Sequence, residues 1–192
     1  MSNFTQTVIT NTFGSMLERM PFDKITVSGI IKECSISRNT FYYHFRDIYD
    51  LLDHWLDQEL SVYMTMAGEE DWEESVRVFL NRCKSQKKLI YNLTNSISRE
   101  RLEQYCFTTS DNVISAFVKH KTQGKALPPQ RLASIINICS YSCAGYFFRF
   151  LWNGMKDDPE EIVKELRVLV NAALEHGIEE DDPESDTDSN LS

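Results

Sequence analysis

The chain is poor in glycine, and the glycine-rich motifs that bind phosphates do not occur in it. Seven of its 192 residues are glycine, which leaves little material for a loop that cradles phosphate groups. The patterns GxSxG and HExxH, the P-loop and the dinucleotide-binding glycine motif are all absent from the sequence. The sequence therefore favours no enzyme class, and we expect a non-enzymatic protein.

The cysteines show no pairing pattern. The five cysteines are an odd number and include no CxxC pair, which favours reduced thiols over a disulfide framework. Cys139 and Cys143 lie four residues apart, on one face of a helix. This spacing suits a soft metal ion or a thiol switch, but it also suits small residues packed at a helix interface. Neither His120 nor His176 has a neighbour at ligand spacing, so we predict no metal site and no cofactor.

The amino terminus lacks the features of a secretory signal. Residues 1–20 have no basic start and no unbroken apolar run, and their apolar residues recur at helical spacing. We therefore expect a cytoplasmic protein. The most apolar stretch, residues 132–152, carries one charged residue. Its length makes it a weak membrane-span candidate, but Asn137 and Arg149 favour a helix buried against its own domain and a second subunit.

Negative charge is concentrated at the carboxyl end. The chain has 29 acidic and 20 basic residues, and seven of the acidic residues lie in EEDDPESDTDSN, which has no base. A run this polar cannot bury enough surface to offset its ordering entropy. We therefore predict that residues 178–192 are a disordered tail, with a role in repelling non-specific DNA as the alternative.

Helical periodicity dominates the rest of the chain, which predicts an all-α protein. The first apolar stripe is stopped by Pro21 and predicts a helix over about 3–19. Thr26 is a plausible N-cap for a short second helix, and Ser37 for a third, in which Ile36 and Phe41 form a hydrophobic staple. Further helices are predicted over about 47–66, 84–93, 99–121, 129–153 and 159–176, and another helix is predicted to begin at an Asp71 cap. Asp47 with Asp50 caps the helix over 47–66. Asp158 opens the last helix, and Gly177 ends it.

The third helix has two unlike faces. At about 100° per residue, Phe41 and Phe45 form its inner edge, while Asn39, Tyr42, Tyr43 and Arg46 project on the opposite side. The stretch SISRNTFYYHF contains no acidic residue, as expected for a surface that meets phosphates. Two short helices joined by CSIS, the second with such a face, are typical of a helix-turn-helix that binds in the DNA major groove. The alternative is an aromatic-rich core helix.

These residues resemble the TetR family of transcriptional regulators. The resemblance lies in FDKITVSGIIKECSISRNTFYYHFRDIYDLLDHW, residues 22–55. Ile25-Thr26-Val27 open the second helix, and Ser37, Thr40-Phe41-Tyr42 and His44-Phe45 mark the recognition helix. Two departures stand out, since Cys34-Ser35-Ile36 replaces a turn that often contains glycine and Ile48 stands where a lysine often begins the fourth helix. The resemblance implies DNA-binding positions at Ser28, Arg38, Asn39, Thr40, Tyr42, Tyr43 and His44, with Thr26 capping the second helix near the DNA backbone. The outer face of the third helix adds Arg46 to the predicted DNA-binding residues.

The predicted organisation has three parts. Residues 1–66 form a DNA-binding domain with its connecting helix, and the helix-turn-helix lies at about 27–46. Residues 67–177 form an effector-binding and dimerisation domain, and residues 178–192 form the tail. The resemblance implies a homodimer through the last two helices. Aromatic residues of the body either line a cavity for an unknown small-molecule effector or form plain core. The cavity candidates are Tyr91, Tyr105, Phe117, Tyr141 and Phe148.

The predicted function is that of a DNA-binding transcriptional regulator, specifically a ligand-responsive dimeric repressor on a palindromic double-stranded operator. The alternative is a helical interaction module or co-activator that recruits another protein through its C-terminal domain. No membrane partner is expected. Salt-dependent binding to a palindromic promoter fragment distinguishes the first function from the second, which predicts a stoichiometric protein complex instead.

Overall fold

The structure, a computed structural model, describes residues 2–69, 72–121 and 128–179. Every regular element in these ranges is helical, which confirms the predicted all-α fold. A short 3-10 turn, Phe22–Lys24, lies between the first two helices. The helices are α1 (Ser2–Arg19), α2 (Val27–Cys34), α3 (Arg38–His44), α4 (Ile48–Glu69), α5 (Trp72–Ser85), α6 (Lys87–Thr94), α7 (Arg99–Lys121), α8 (Pro129–Trp152) and α9 (Pro159–Glu179).

Three predicted helix limits were wrong. Helix α4 extends to Glu69, beyond the predicted end near residue 66. The predicted helix over 84–93 is divided, because Gln86 has the non-helical angles φ -109° and ψ 30° between α5 and α6. Helix α9 continues through Gly177 to Glu179, since one glycine costs a helix only about 1 kcal/mol and does not have to end it. The predicted Asp71 cap and nearly all of the predicted tail, from residue 180 on, lie outside the described residues.

Packing groups the described residues into two compact units. The first contains those up to Tyr63 together with Asn81–Tyr105, and the second contains Met64–Leu80 and those from Cys106 onward. The predicted limits 1–66 and 67–177 concern function rather than packing, and they stay a prediction.

The first unit is built around one apolar core. Phe13 of α1 contacts Phe22 and Trp55 edge-on, with ring centroids 6.1 and 5.9 Å away. Helices α1 and α4 approach closely at Gly14, where a β-carbon would lie 2.8 Å from Trp55 Nε1. The fully buried members of this core are Ile9, Phe13, Leu17, Ile30, Phe41, Leu51 and Leu52.

Helix α6 completes this core from the side of α1. Leu89 and Leu93 join the core, and Asn92 Nδ2 donates a hydrogen bond to the Leu17 carbonyl at 2.7 Å. In a continuing helix that carbonyl would bind the amide four residues on, but residue 21 is proline and has no N–H. The side chain of Asn92 therefore supplies the donor that α1 lacks at its end.

The second unit packs α8 against α9. Phe150 and Leu151 of α8 and Ile162, Val163 and Leu166 of α9 are all buried. The amide of Glu160 donates to Asp158 Oδ1 at 3.1 Å, which confirms the predicted start of α9. None of the helices in the described ranges combines the length and apolarity that a membrane crossing needs.

Candidate nucleic-acid interface

Two side-chain caps define the helix-turn-helix. Thr26 Oγ1 accepts a hydrogen bond from the Gly29 amide at 3.1 Å, and Ser37 Oγ accepts one from the Thr40 amide at 3.0 Å. Each cap satisfies an amide that has no partner within its own helix. The predicted starts of α2 and α3 are therefore confirmed.

The turn between α2 and α3 depends on a left-handed residue. Ser35 has φ 53° and ψ 41°. Its amide donates to the Lys32 carbonyl at 3.3 Å and the Ile36 amide to the Ile31 carbonyl at 3.2 Å, the paired bonds of a Schellman motif. Glycine adopts this conformation without strain, so the serine makes the same turn at a conformational cost.

Helix α3 has the two faces that its sequence predicts. Phe41 and Phe45 are 0% and 3% exposed, whereas Tyr42 and Tyr43 are 50% and 76% exposed. The Tyr42 ring stands edge-on to the buried Phe41 ring, with centroids 5.5 Å apart, so the core orients the outer ring. His44 is half-buried, and its ring lies 5.0 Å from that of Tyr43. The outer surface of α3 therefore presents aromatic, hydroxyl and imidazole groups.

The first residues of α3 lie over the start of α2. The Arg38 guanidinium donates to Ser28 Oγ at 3.4 Å, and both residues are exposed. Asn39 is also exposed, and the first turn of α3 contains no acid. The Thr40 hydroxyl lies 2.7 Å from Ser37 Oγ and takes part in the cap. These residues form one polar surface that includes both helix starts.

Arg46 has a partner that the sequence analysis missed. Its Nη2 donates to Asp50 Oδ1 at 2.8 Å, and its amide donates to Asp50 Oδ2 at the same distance. These hydrogen bonds lower the pKa of the Asp50 carboxyl below its ordinary value. The sequence analysis predicted that Asp47 and Asp50 together cap α4. In the structure only the Asp47 carboxylate does so, by accepting hydrogen bonds from the amides of Tyr49 and Asp50. Spacing of four residues between opposite charges would have signalled the pair.

The five predicted cavity residues are placed in different surroundings. Tyr141 and Phe148 share a neighbour, since their rings lie 5.2 and 6.5 Å from that of Phe107. Phe117 is buried against Trp72, at 5.7 Å.

The two remaining cavity candidates belong to the first unit. Lys87 Nζ lies over the half-buried Tyr91 ring, 5.7 Å from its centroid. Tyr105 donates its hydroxyl proton to Asp53 of α4. In the second unit, an open groove of about 330 Å³ on α8 is lined by Tyr141, Ser142, Gly145, Tyr146 and Arg149.

The two cysteines of α8 do not resemble reactive thiols. Burial raises the pKa of the Cys139 thiol, and it raises that of Cys143 to about 12. The thiolate is the nucleophile and the metal ligand, so burial keeps both groups in their unreactive form. Within the described part of the chain, no group of three or more His, Cys, Asp or Glu residues is placed to hold a metal ion.

Comparison with known proteins identifies two family models in the chain. The model described as bacterial regulatory proteins, tetR family, matches residues 15–54, and the model described as transcriptional regulator C-terminal region matches residues 70–172. The first match contains every predicted DNA-binding residue. No curated protein sequence matches the chain significantly.

A solved structure titled "Dihydroxyacetone kinase operon activator DhaS" is similar in fold. It is 14% identical, the alignment covers 90% of this chain and 97% of that chain, and the TM-score is 0.68. At so low an identity, the likeness concerns the fold alone.

Proposed function

The chain belongs to the TetR family of transcriptional regulators, and from this membership we propose that it is a ligand-responsive dimeric repressor that binds a palindromic operator. The observation that carries the proposal is the geometry of α3, which buries Phe41 and Phe45 and exposes Tyr42 and Tyr43. A helix with this division, capped and held against α2, can enter the major groove with its outer face. Repression requires only that the operator be occupied, so the DNA-binding surface suffices for it. Members of the family are generally transcription factors without enzymatic activity, and we place this one in the cytoplasm.

Different residues of the surface have different proposed roles. Arg38 and Asn39 stand at the start of α3 and contact base edges, because the first residues of a recognition helix enter the groove deepest. Tyr42, Tyr43 and His44 contact phosphates and sugars, which position the protein without selecting a sequence. The remaining predicted residues, Thr26, Ser28, Thr40 and Arg46, lie at the caps and the corner, next to the DNA backbone.

An exposed apolar surface on α8 and α9 supports the proposed homodimer. Ile138, Tyr141 and Trp152 of α8 are 58%, 63% and 78% exposed, and Val168 of α9 is 69% exposed. At Gly145, in the middle of the α8 stripe, a β-carbon would meet nothing within 4 Å. A large exposed apolar stripe is unfavourable in water. Burial against the same stripe of a second copy removes it, as a two-fold symmetric interface requires.

An effector can control operator affinity by changing the spacing of the two recognition helices in the dimer. A two-fold operator requires recognition helices about 34 to 36 Å apart, one turn of DNA. A small molecule that binds more tightly to a dimer with another spacing lowers operator affinity in proportion to that preference. The aromatic groups around Phe107 in the second unit, Tyr141 and Phe148, are the proposed contacts for such a molecule.

Operator binding is tested with alanine variants of the recognition surface. The probe is a labelled duplex that contains the inverted repeat nearest the coding region, and fluorescence anisotropy measures its Kd. Tyr42→Ala and His44→Ala should weaken binding to every sequence alike. Arg38→Ala and Asn39→Ala should also relax the preference at single base pairs by about 1 to 3 kcal/mol. Equal binding by wild type and all four variants would overturn the proposal.

The dimer is tested at Gly145. Gly145→Arg places a long cation in the apolar stripe, where a dimer would bury an unpaired charge. Light scattering at low micromolar concentration should then report monomers. Asn112→Arg is the control, because Asn112 is exposed on α7 of the same unit, and it should stay dimeric. A folded, dimeric Gly145→Arg variant would place the interface elsewhere.

Activation is the second candidate function. A similar solved structure that is named an operon activator favours it, and it includes the alternative of a co-activator that recruits another protein. Transcription in vitro from the adjacent promoter distinguishes the two. Less transcript on addition of the protein supports repression, and more transcript supports activation.

A further inference from the structure

A polar cluster joins α4 to the first two turns of α7, and none of the proposed DNA contacts belongs to it. Tyr105 of α7 donates its hydroxyl proton to Asp53 Oδ1 of α4. Arg101 Nη1 lies 3.2 Å from the Tyr105 oxygen and 3.5 Å from Asp53 Oδ1. One carboxylate of α4 therefore holds two residues of α7 that lie one helical turn apart.

Tyr49 extends the same cluster towards the start of α4. The Arg101 guanidinium lies over the Tyr49 ring, 4.3 Å from its centroid, in a cation–π contact. The Tyr49 ring also stands against the buried Phe22 ring, with centroids 5.4 Å apart. Arg101 thus contacts α4 at two places, in its first turn and one turn later.

The cluster holds the helix on which the recognition helix rests. Leu51, Leu52 and Trp55, on another face of α4, share the apolar core with Phe41 and Phe45 of α3. The Arg46–Asp50 hydrogen bonds fix the corner between the two helices. A shift of the first turns of α4 would therefore move the inner edge of α3.

The chemistry of the cluster suits a permanent contact. Burial and the hydrogen bond to Asp53 raise the pKa of Tyr105 to about 12, so the phenol keeps its proton and remains a donor at any pH used for DNA binding. Helix α4 contains no lysine or arginine, and Arg101 supplies the positive charge that pairs with the Asp53 carboxylate. Because Tyr105 is half-buried, its hydrogen bond to Asp53 is less screened than one between fully exposed groups.

We propose that Tyr49, Asp53, Arg101 and Tyr105 form a positioning latch, which holds α4 at the angle that operator binding requires. The proposal rests on the operator binding proposed above. In a dimer each operator contact is made twice at a set spacing, so a small change in the angle of α3 weakens binding on both sides. Removal of the latch lowers the fraction of protein in the competent arrangement, and the apparent Kd rises by the inverse of that fraction.

The test measures operator Kd for Tyr105→Phe, Asp53→Asn and the double variant. Tyr105→Phe removes one hydroxyl and keeps the ring. Each single variant should bind about 3- to 10-fold more weakly, by the population argument above. The double variant should bind the operator no more than about twofold more weakly than the single variant with the higher Kd, because both changes remove one shared interaction.

Glu103→Gln is the matched control. Glu103 pairs with Arg99 at 2.7 Å on the same helix, α7, and has no part in the latch. Its neutralisation should leave Kd within about twofold, as for most exposed ion pairs. The slope of log Kd against log salt should also be unchanged in Tyr105→Phe, because the latch contacts no phosphate.

Stability is measured beside affinity, by thermal unfolding of every variant, and Kd is taken at a temperature where each is folded. If Asp53→Asn does not fold, Tyr105→Phe decides by itself. A folded Tyr105→Phe variant with wild-type Kd would overturn the latch, as would single effects that multiply in the double variant. Wild-type protein that binds no duplex would overturn the proposed function and the latch with it, whereas unchanged variants beside a binding wild type would overturn the latch alone.

Discussion

Replacement of Ser35 by glycine should stabilise the protein, whereas the same replacement at Met155 should destabilise it. These are the two non-glycine residues of the described chain with positive φ, 53° and 57°. The left-handed conformation costs a residue with a β-carbon about 1 to 2 kcal/mol, and glycine escapes this cost. Glycine also gains freedom in the unfolded chain, which offsets about 0.4 to 1 kcal/mol of the benefit. The midpoints of the two ranges leave a net backbone gain of about 0.8 kcal/mol at either position.

Burial of the side chain decides whether glycine raises or lowers the free energy of unfolding at each position. Ser35 is exposed, so loss of its short side chain costs little and the backbone gain remains. Met155 is 3% exposed, and truncation of a buried methionine costs about 2 to 5 kcal/mol. Subtraction of the backbone gain leaves Met155→Gly less stable by about 1 to 4 kcal/mol.

Urea denaturation followed by circular dichroism measures both free energies of unfolding. Ser35→Ala is the control, because it removes the hydroxyl but keeps the β-carbon and therefore the strain. Operator affinity of Ser35→Gly should stay at the wild-type value, since the turn keeps its conformation. Ser35→Gly no more stable than Ser35→Ala would refute the strain argument, and a stabilised Met155→Gly would refute the burial argument.

Three further changes test the packing. Asn92→Ala should lower the free energy of unfolding by about 1 to 2 kcal/mol, because it leaves the carbonyl at the end of α1 without a donor; an unchanged denaturation midpoint would contradict this. Gly14→Ala should destabilise, because overpacking against Trp55 costs about 1 to 3 kcal/mol and outweighs a helix-propensity gain of about 1 kcal/mol; a higher melting temperature would show that the indole moves aside. Cys139 and Cys143 should react with Ellman's reagent at pH 8 far more slowly than in urea, because burial raises the pKa of both thiols and leaves little thiolate. Equal rates in native and unfolded protein would contradict the burial.

Local chemistry determined the helix-turn-helix from the sequence alone. An N-cap side chain accepts from an amide two or three residues further along the chain, so Thr26 and Ser37 could be identified without a structure. Helical periodicity likewise separated Phe41 from Tyr42 and Tyr43, because a helix turns by a set angle at each residue. The pair of Arg46 and Asp50 was within reach of the same reasoning.

Only the tertiary structure decided what covers each buried face. Asn92 and the Leu17 carbonyl are 75 residues apart in the chain, and Tyr105 and Asp53 are 52 residues apart. Periodicity marks a side chain as facing inward, which is why Tyr105 was predicted to line a cavity. It does not identify the partner, because the same apolar stripe packs equally well against many surfaces. The contacts of α6 with α1 and of α7 with α4 therefore came from the folded chain, where close packing of distant segments selects one arrangement.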